Sequence, residues 1–442
     1  MIVRSQARPR IFYGWIVVAI AFVTMGLSIS ARSSFSLLFP EILDEFGWDR
    51  GLTAGAFSVG FVASTAMLPI IGLLMDRYGP RLLIPIGALL VSGGLVLLTR
   101  IETPLGLYAT MGLLIVNGSM AMSYIVHSMF LPNWFVRNRG LAVGLAFSGV
   151  GVLGIVLLPA MQQVIDSHGW RTACLAVAAL IVVTIIPLNV LFQRGDPELM
   201  GLEPDGGPGT DGEGLARSRP DPVVDRHWVE TEWTIGKAVA TARFWWIVSG
   251  FFCGLFVWYG LQAHQTKFLI EAGFDTTLAA SALGLVAFFG IAGQIGIGAF
   301  SDRAGREVAW TVALLGFAVS SALLIVLDSN PSPVLLYAMV ASQGLLGNGL
   351  STLFGAIITE SFAGRRLASI FAMVSLGGNL GAGAGAWFLG ASYDSFGSYV
   401  PAFWICIAAS IVSIACMWMA APRHVRLVAG QAEKRARRGD HR

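Results

Sequence analysis

The chain has 442 residues, 55% of them hydrophobic and only 12% charged, with a mean hydropathy of +0.71. No single water-soluble core covers that much apolar surface, so lipid must solvate much of it. The formal charge of +3 does not mark a nucleic-acid binder, because the basic residues are sorted by loop rather than gathered on one face.

The basic start Met1 to Arg10 runs into an apolar stretch longer than a signal-peptide core, which reads as a retained first helix. Apolar segments long enough to cross the bilayer fall at 11–38, 52–75, 81–99, 105–131, 140–164 and 171–193. After a Gly/Pro/Asp-rich linker centred on Glu203 to Pro222, a second set falls at 243–269, 278–301, 308–327, 332–358, 367–390 and 398–421. Thr234 to Ala242 reads as one amphipathic helix leading into the second set. The expected fold class is an all-α membrane protein of twelve transmembrane helices in two pseudo-symmetric six-helix bundles. Its expected domains are 1–193, a linker at 194–242, 243–421 and a basic tail at 422–442. Loops on one side carry Arg77/Arg81, Arg137/Arg139, Arg303/Arg306 and Arg365/Arg366, while the opposite loops are richer in Asp and Glu. The excess of positive charge then predicts an inner (plasma) membrane protein with both termini cytoplasmic.

Gly72-Leu73-Leu74-Met75-Asp76-Arg77-Tyr78-Gly79-Pro80-Arg81 returns as Gly298-Ala299-Phe300-Ser301-Asp302-Arg303-Ala304-Gly305-Arg306, an offset of 298 − 72 = 226. Asn117-Gly118 against Gln343-Gly344 keeps the same register. One unit used twice is the sequence sign of a transporter built from repeats.

On the residues Gly72, Asp76, Arg77, Gly79 and Arg81 the chain resembles the major facilitator superfamily. Three further stretches, Tyr13-Gly14-Trp15, Glu45-Phe46-Gly47-Trp48-Asp49-Arg50 and Pro197 to Gly206, are similar to the branch of monocarboxylate transporters and oxalate/formate antiporters. That resemblance implies a central cavity lined by helices 1, 4, 7 and 10 and transport by alternating access.

Within the spans, charge is costly and marks a cavity. Arg32 lies 32 − 15 = 17 residues beyond Trp15, and His264 lies 264 − 246 = 18 beyond Trp246, so both are expected at similar depth, facing each other across the pathway. The resemblance implies that a basic residue of the first helix holds the substrate carboxylate, a role that falls on Arg32. Asn117, Gln343, Tyr124, Tyr259 and Asn348 complete the expected substrate-binding set by supplying neutral hydrogen bonds for a hydroxyl or keto oxygen. Helix 8 departs from the resembled branch: Gly290-Ile291-Ala292-Gly293-Gln294-Ile295-Gly296 carries no charge, so no proton-carrying acid is identifiable there. The expected gating set is Gly72, Asp76, Arg77, Gly79, Arg81, Gly298, Asp302, Arg303, Arg139, Arg365 and Arg366, with Asp76 and Asp302 set beside the starts of helices 11 and 5.

The function this supports is secondary transport of a small organic anion, a monocarboxylate first, with a coupling proton or a counter-anion as partner and lipid as solvent. The chain is expected to work as a monomer. Drug export on the same fold and a transporter-like membrane sensor are the alternatives. Cys174, Cys253, Cys406 and Cys416 lie in apolar runs without metal-ligand spacing, and no nucleophile, base and oxyanion grouping emerges. No metal, cofactor or enzymatic activity is therefore expected.

Overall fold

The computed structural model describes residues 12–48, 50–204 and 223–439. The Gly/Pro/Asp-rich centre of the linker from residue 205, the residues before Phe12 and Asp49 lie outside them.

Apolar runs of about 20 residues have one stable form in hydrocarbon, the helix, which satisfies every backbone group internally. In the first half these are α1 (Tyr13–Ser33, continued past Ser34 by Phe35–Phe46), α2 (Arg50–Tyr78), α3 (Pro80–Leu98), α4 (Pro104–Asn133), α5 (Arg139–His168) and α6 (Trp170–Phe192). In the second half they are α7 (Ala242–Glu271), α8 (Thr276–Ala304), α9 (Arg306–Ser329), α10 (Pro333–Ser361), α11 (Leu367–Phe396) and α12 (Val400–Ala420). Eleven of them have spans long and apolar enough to cross a membrane, and α2 matches them with 29 residues. Among the described residues the only extended pairing is the isolated contact of Val223 with Arg426.

The repeat is visible in the packing. Within the first half α1 lies along α5 and α3 along α6, and within the second half α7 lies along α11 and α9 along α12. Between halves α5 packs on α8 and α2 on α11, a pair of contacts that the repeat exchanges. Glycine permits both approaches. Gly140 and Gly298 face each other backbone to backbone, Gly144 meets the Gln294 carbonyl, and Gly72 sits against Ala368, Ser369 and Ala372. Gly377, Gly381 and Gly385 serve a different seam, placing α11 against Val248, Phe252 and Phe256 of α7.

The repeated charged loops turn sharply because Gly79 (φ 69°) and Gly305 (φ 110°) adopt the left-handed region that side chains avoid, directly before Pro80 and Arg306 restart the helix. Beyond α12 the tail forms α13 (Ala429–Gly439), docked where Gln431 Nε2 donates to the Ala304 carbonyl at the end of α8, 2.7 Å away. Of the helix expected over Thr234 to Ala242, only Ile235–Val239 forms, with the Thr234 hydroxyl accepting from the Lys237 amide at its start.

At the opposite face the continuation of α1 is tied to α6. Arg171 donates to both oxygens of Glu45 (2.7 and 2.6 Å), and Trp170 Nε1 adds a third bond at 2.8 Å. These donors, Arg171 first, hold the Glu45 carboxyl below its ordinary value against the opposing effect of burial.

Candidate functional site

Helices α4 and α10 cross the middle of the two halves and both break regularity there. In α4, residues Tyr108–Val116 form widened π turns, and a turn at Ala121 to Ser123 restarts the helix at Tyr124. In α10, Ser342–Leu346 form π turns and Gly347–Thr352 tighten to 3-10 geometry. Such interruptions redirect side chains toward a site.

Between the halves lies a cavity of about 190 Å³, walled by Tyr124 of α4, Val150 and Gly151 of α5, Trp258 and Gln262 of α7, Ile291 and Gln294 of α8, and Gln343 and Asn348 of α10. Among the described residues that line it none is charged. Tyr124 stands against Phe147, with ring centroids 4.7 Å apart. Arg32 and Tyr259 lie within electrostatic range of its hydroxyl, and Gln294 lines the same cavity. The half-buried Arg32 of α1 lies outside the described lining of the cavity. Asn348 Nδ2 donates to the Val286 carbonyl at 3.1 Å, while Gln343 is 1% exposed and its Oε1 has no donor among the described residues.

The remaining expected residues lie elsewhere. Asn117 uses Nδ2 on the Gly112 carbonyl (3.1 Å), closing the π stretch of α4 from outside the cavity lining. His264 corrects an expectation: it does not face Arg32. Its Nε2 is 2.8 Å from the Ala386 carbonyl and its Nδ1 3.3 Å from the Tyr399 hydroxyl, so the ring is turned toward α11 and the start of α12. Residue count had set its depth, and the partners on α11 set its direction.

At the face that carries the described linker residues 194–204 and 223–241, carboxylates of one half cap helices of the other. Asp302 accepts from the Gly140 and Leu141 amides (2.9 and 3.1 Å) at the start of α5. Asp76 accepts from the Ala368 and Ser369 amides (both 3.1 Å) and from the Ser369 hydroxyl at the start of α11. These are amides that a helix leaves without internal partners, and the anion also meets the positive end of the dipole.

At the same face lies a buried ion network. Glu360 of α10 accepts from Arg306 Nη2 (2.8 Å) and, across the halves, from Arg139 Nη1 (3.2 Å). Arg306 Nη1 also reaches Asp302 at 2.8 Å and Ser301 Oγ at 2.5 Å. Arg139 Nε donates to the Pro132 and Phe135 carbonyls, each at 2.9 Å.

The other basic residues of the expected gate are peripheral. Arg81 Nε donates to the Val190 carbonyl (2.6 Å) within its own half, Arg77 stacks over Tyr78, and Arg303 packs by its backbone against Gly430 of α13. Arg365 and Arg366 are exposed, and Arg366 lies within electrostatic range of Asp76.

Glu360, Gln294 and Trp258 were absent from the residues expected at the gate and the site. Glu360 was legible only as an acid at the end of a span, while Gln294 and Trp258 carry no charge signal.

A two-fold helical bundle with a polar cavity between its halves and caps at one face defines a membrane transporter. The Major Facilitator Superfamily profile matches residues 18–342 and 313–439, and the chain belongs to that family. It is 25% identical over 394 residues to Monocarboxylate transporter 13 of Bos taurus, covering 88% of this chain and 85% of that one. It is 33% identical to Monocarboxylate transporter 11 of Mus musculus over 189 residues, 42% of each chain. Among solved structures, the E. coli fucose:proton symporter FucP aligns with a TM-score of 0.67 at 13% identity, over 93% of this chain and 100% of that one. The proton:xylose symporter XylE aligns at 0.66 and 14% identity, over 95% and 98%. At these identities the two structures speak for the fold alone.

Proposed function

We propose that the protein is a secondary transporter of a small monocarboxylate, working by alternating access with both termini in the cytoplasm. The observation that carries this reading is the cavity between the halves, whose described lining is neutral and hydrogen-bonding, and the Arg32 guanidinium of α1 is the group we assign to hold the carboxylate there. A guanidinium pairs with a carboxylate through two parallel bonds, and the low dielectric between the halves strengthens the pairing. The relatives named as monocarboxylate transporters support the same substrate class.

With the linker face cytoplasmic, the caps of Asp76 and Asp302 and the Arg139–Glu360 bridge close that side, and the described state is outward-facing. Gly72 and Gly298 let the halves approach closely beside these bonds, and Arg77, Gly79, Arg81 and Arg303 belong to the loops around the closure. Substrate binding at the cavity is then followed by loss of these bonds and opening of the cytoplasmic side.

The test is uptake of labelled lactate, pyruvate, oxalate and a hydrophobic drug into vesicles reconstituted with the full chain, with and without a pH gradient. Saturable uptake of the two monocarboxylates is the expected result. Uptake of the drug alone would overturn the reading, and stimulation by the gradient separates proton symport from anion exchange.

A further inference from the structure

We infer that Trp228 of the linker is a positioning residue for the gate, bracing the turn between α10 and α11 so that Glu360 is aimed at Arg139. The inference rests on the reading above that the Arg139–Glu360 bridge closes the linker face.

That turn separates two links between the halves. Glu360 is the last residue but one of α10, and the Ala368 and Ser369 amides bound by Asp76 lie in the first turn of α11. Helix α10 ends at Ser361, whose carbonyl is one of those that a helix leaves without an internal partner. Trp228 Nε1 donates to this carbonyl at 2.6 Å. The next residue, Phe362, is fully buried and meets the rings of Trp228 and Trp233, with centroids 6.0 and 5.0 Å away. Trp228 therefore grips the backbone directly after Glu360 and packs on the side chain that follows.

Trp228 is itself held on several sides. Asp225 Oδ1 accepts from its amide (2.9 Å) at the start of the short helix Arg226–Glu230, and Trp233 Nε1 donates to its carbonyl (3.1 Å). The Arg243 guanidinium, from the start of α7, lies 4.1 Å from its ring centroid. Behind it the tail fixes the linker, because the Val425 carbonyl accepts from the Val224 and Asp225 amides (2.9 and 3.3 Å). These ties join the end of the linker, the tail and the second half, so they travel together when the halves part.

Arg306 holds the Glu360 carboxylate, and Trp228 holds the backbone that carries it. Without the brace, the end of α10 must be ordered again each time it meets Arg139, and that entropic cost falls on the closed state alone. The linker thus sets how firmly its own face shuts.

The experiment measures distances between spin labels at positions 78 and 300, exposed on opposite halves, in the full chain. The variants are Trp228→Phe, which keeps a ring but loses the N–H, and Trp228→Ala, each with and without Glu360→Gln. Trp228→Phe should raise the ratio of open to closed forms about two- to tenfold, and Trp228→Ala should exceed it. In the Glu360→Gln background either substitution should change the ratio less than about twofold, because the group being aimed is gone; a merely structural role would act equally in both backgrounds.

An unchanged ratio in Trp228→Ala overturns the inference, and so does an equal shift with and without Glu360→Gln. In both cases a shift in Glu360→Gln alone leaves the closure reading standing. No shift in Glu360→Gln removes the closure reading and this inference together. If Trp228→Ala does not fold, Trp228→Phe decides by the same comparison, and no shift in it overturns the inference.

Discussion

Substituting Glu360→Gln tests the closure of the linker face most sharply, because the bonds that survive opening can be told from the one that does not. When the halves part, Arg139 keeps the Pro132 and Phe135 carbonyls of its own half, and Glu360 keeps Arg306 of its own. Of the bonds that Arg139 and Glu360 make, only the 3.2 Å bond from Arg139 Nη1 to Glu360 Oε1 is lost. All three side chains are nearly buried, at 10%, 5% and 2% exposure for Arg139, Glu360 and Arg306, so solvent screens the bond little. A hydrogen bond to a charged group contributes about 1.5–3 kcal/mol. Its removal from the closed state alone should raise the ratio of open to closed forms about 10- to 100-fold. Spin labels at positions 78 and 300, exposed on opposite halves at this face, would report the change as growth of a longer distance. An unchanged distance distribution in a folded Glu360→Gln protein would refute the reasoning, and would make the network a static brace.

Two further outcomes follow from the same geometry. Asp76→Asn removes the anion from the start of α11, where a carboxylate contributes roughly 0.3–2 kcal/mol. The same distance measurement should show a shift toward the open form smaller than that of Glu360→Gln, and no shift would reduce the Asp76 cap to a loop staple. The Glu45–Arg171 pair gives a pH dependence. Because the folded carboxyl lies below its ordinary value, its contribution is fully present above the unfolded carboxyl range, about 4.3, and is lost as pH falls through the lower folded value. The pair is open to solvent, so the gap in melting temperature between the native chain and Glu45→Gln should be small, reflecting about 1 kcal/mol or less. That gap should be constant above about pH 5 and close under more acid conditions; a gap that widens on acidification contradicts the assignment.

The twelve spans and the twofold plan were legible because lipid imposes a simple demand, about 20 apolar residues per crossing, and because the 226-residue repeat keeps its glycines and acids in register. The gate was legible only where the register holds. Asp302 repeats Asp76, but the mate of Glu360 is 360 − 226 = 134, which is Trp134, buried and donating to the Arg194 carbonyl. The acid at the centre of the ion network therefore has no counterpart in the first half, and the repeat does not point to it. Arg306 likewise has Pro80 as its mate. Inside the bilayer, counting residues does not give direction, which is why the contacts of His264 with Ala386 and Tyr399 were not legible. Gln294 shows the complementary limit: the missing charge of helix 8 was visible, while the place of its amide in one cavity wall with Tyr124 needed the packing of the two halves.

The central claim concerns Arg32 and is tested by the kinetics of labelled monocarboxylate uptake in Arg32→Gln and Arg32→Lys proteoliposomes beside the unaltered protein. Saturable uptake should be lost in Arg32→Gln and partly kept in Arg32→Lys, which retains the charge but not the two parallel bonds. Uptake with the same kcat and KM in Arg32→Gln would contradict the account.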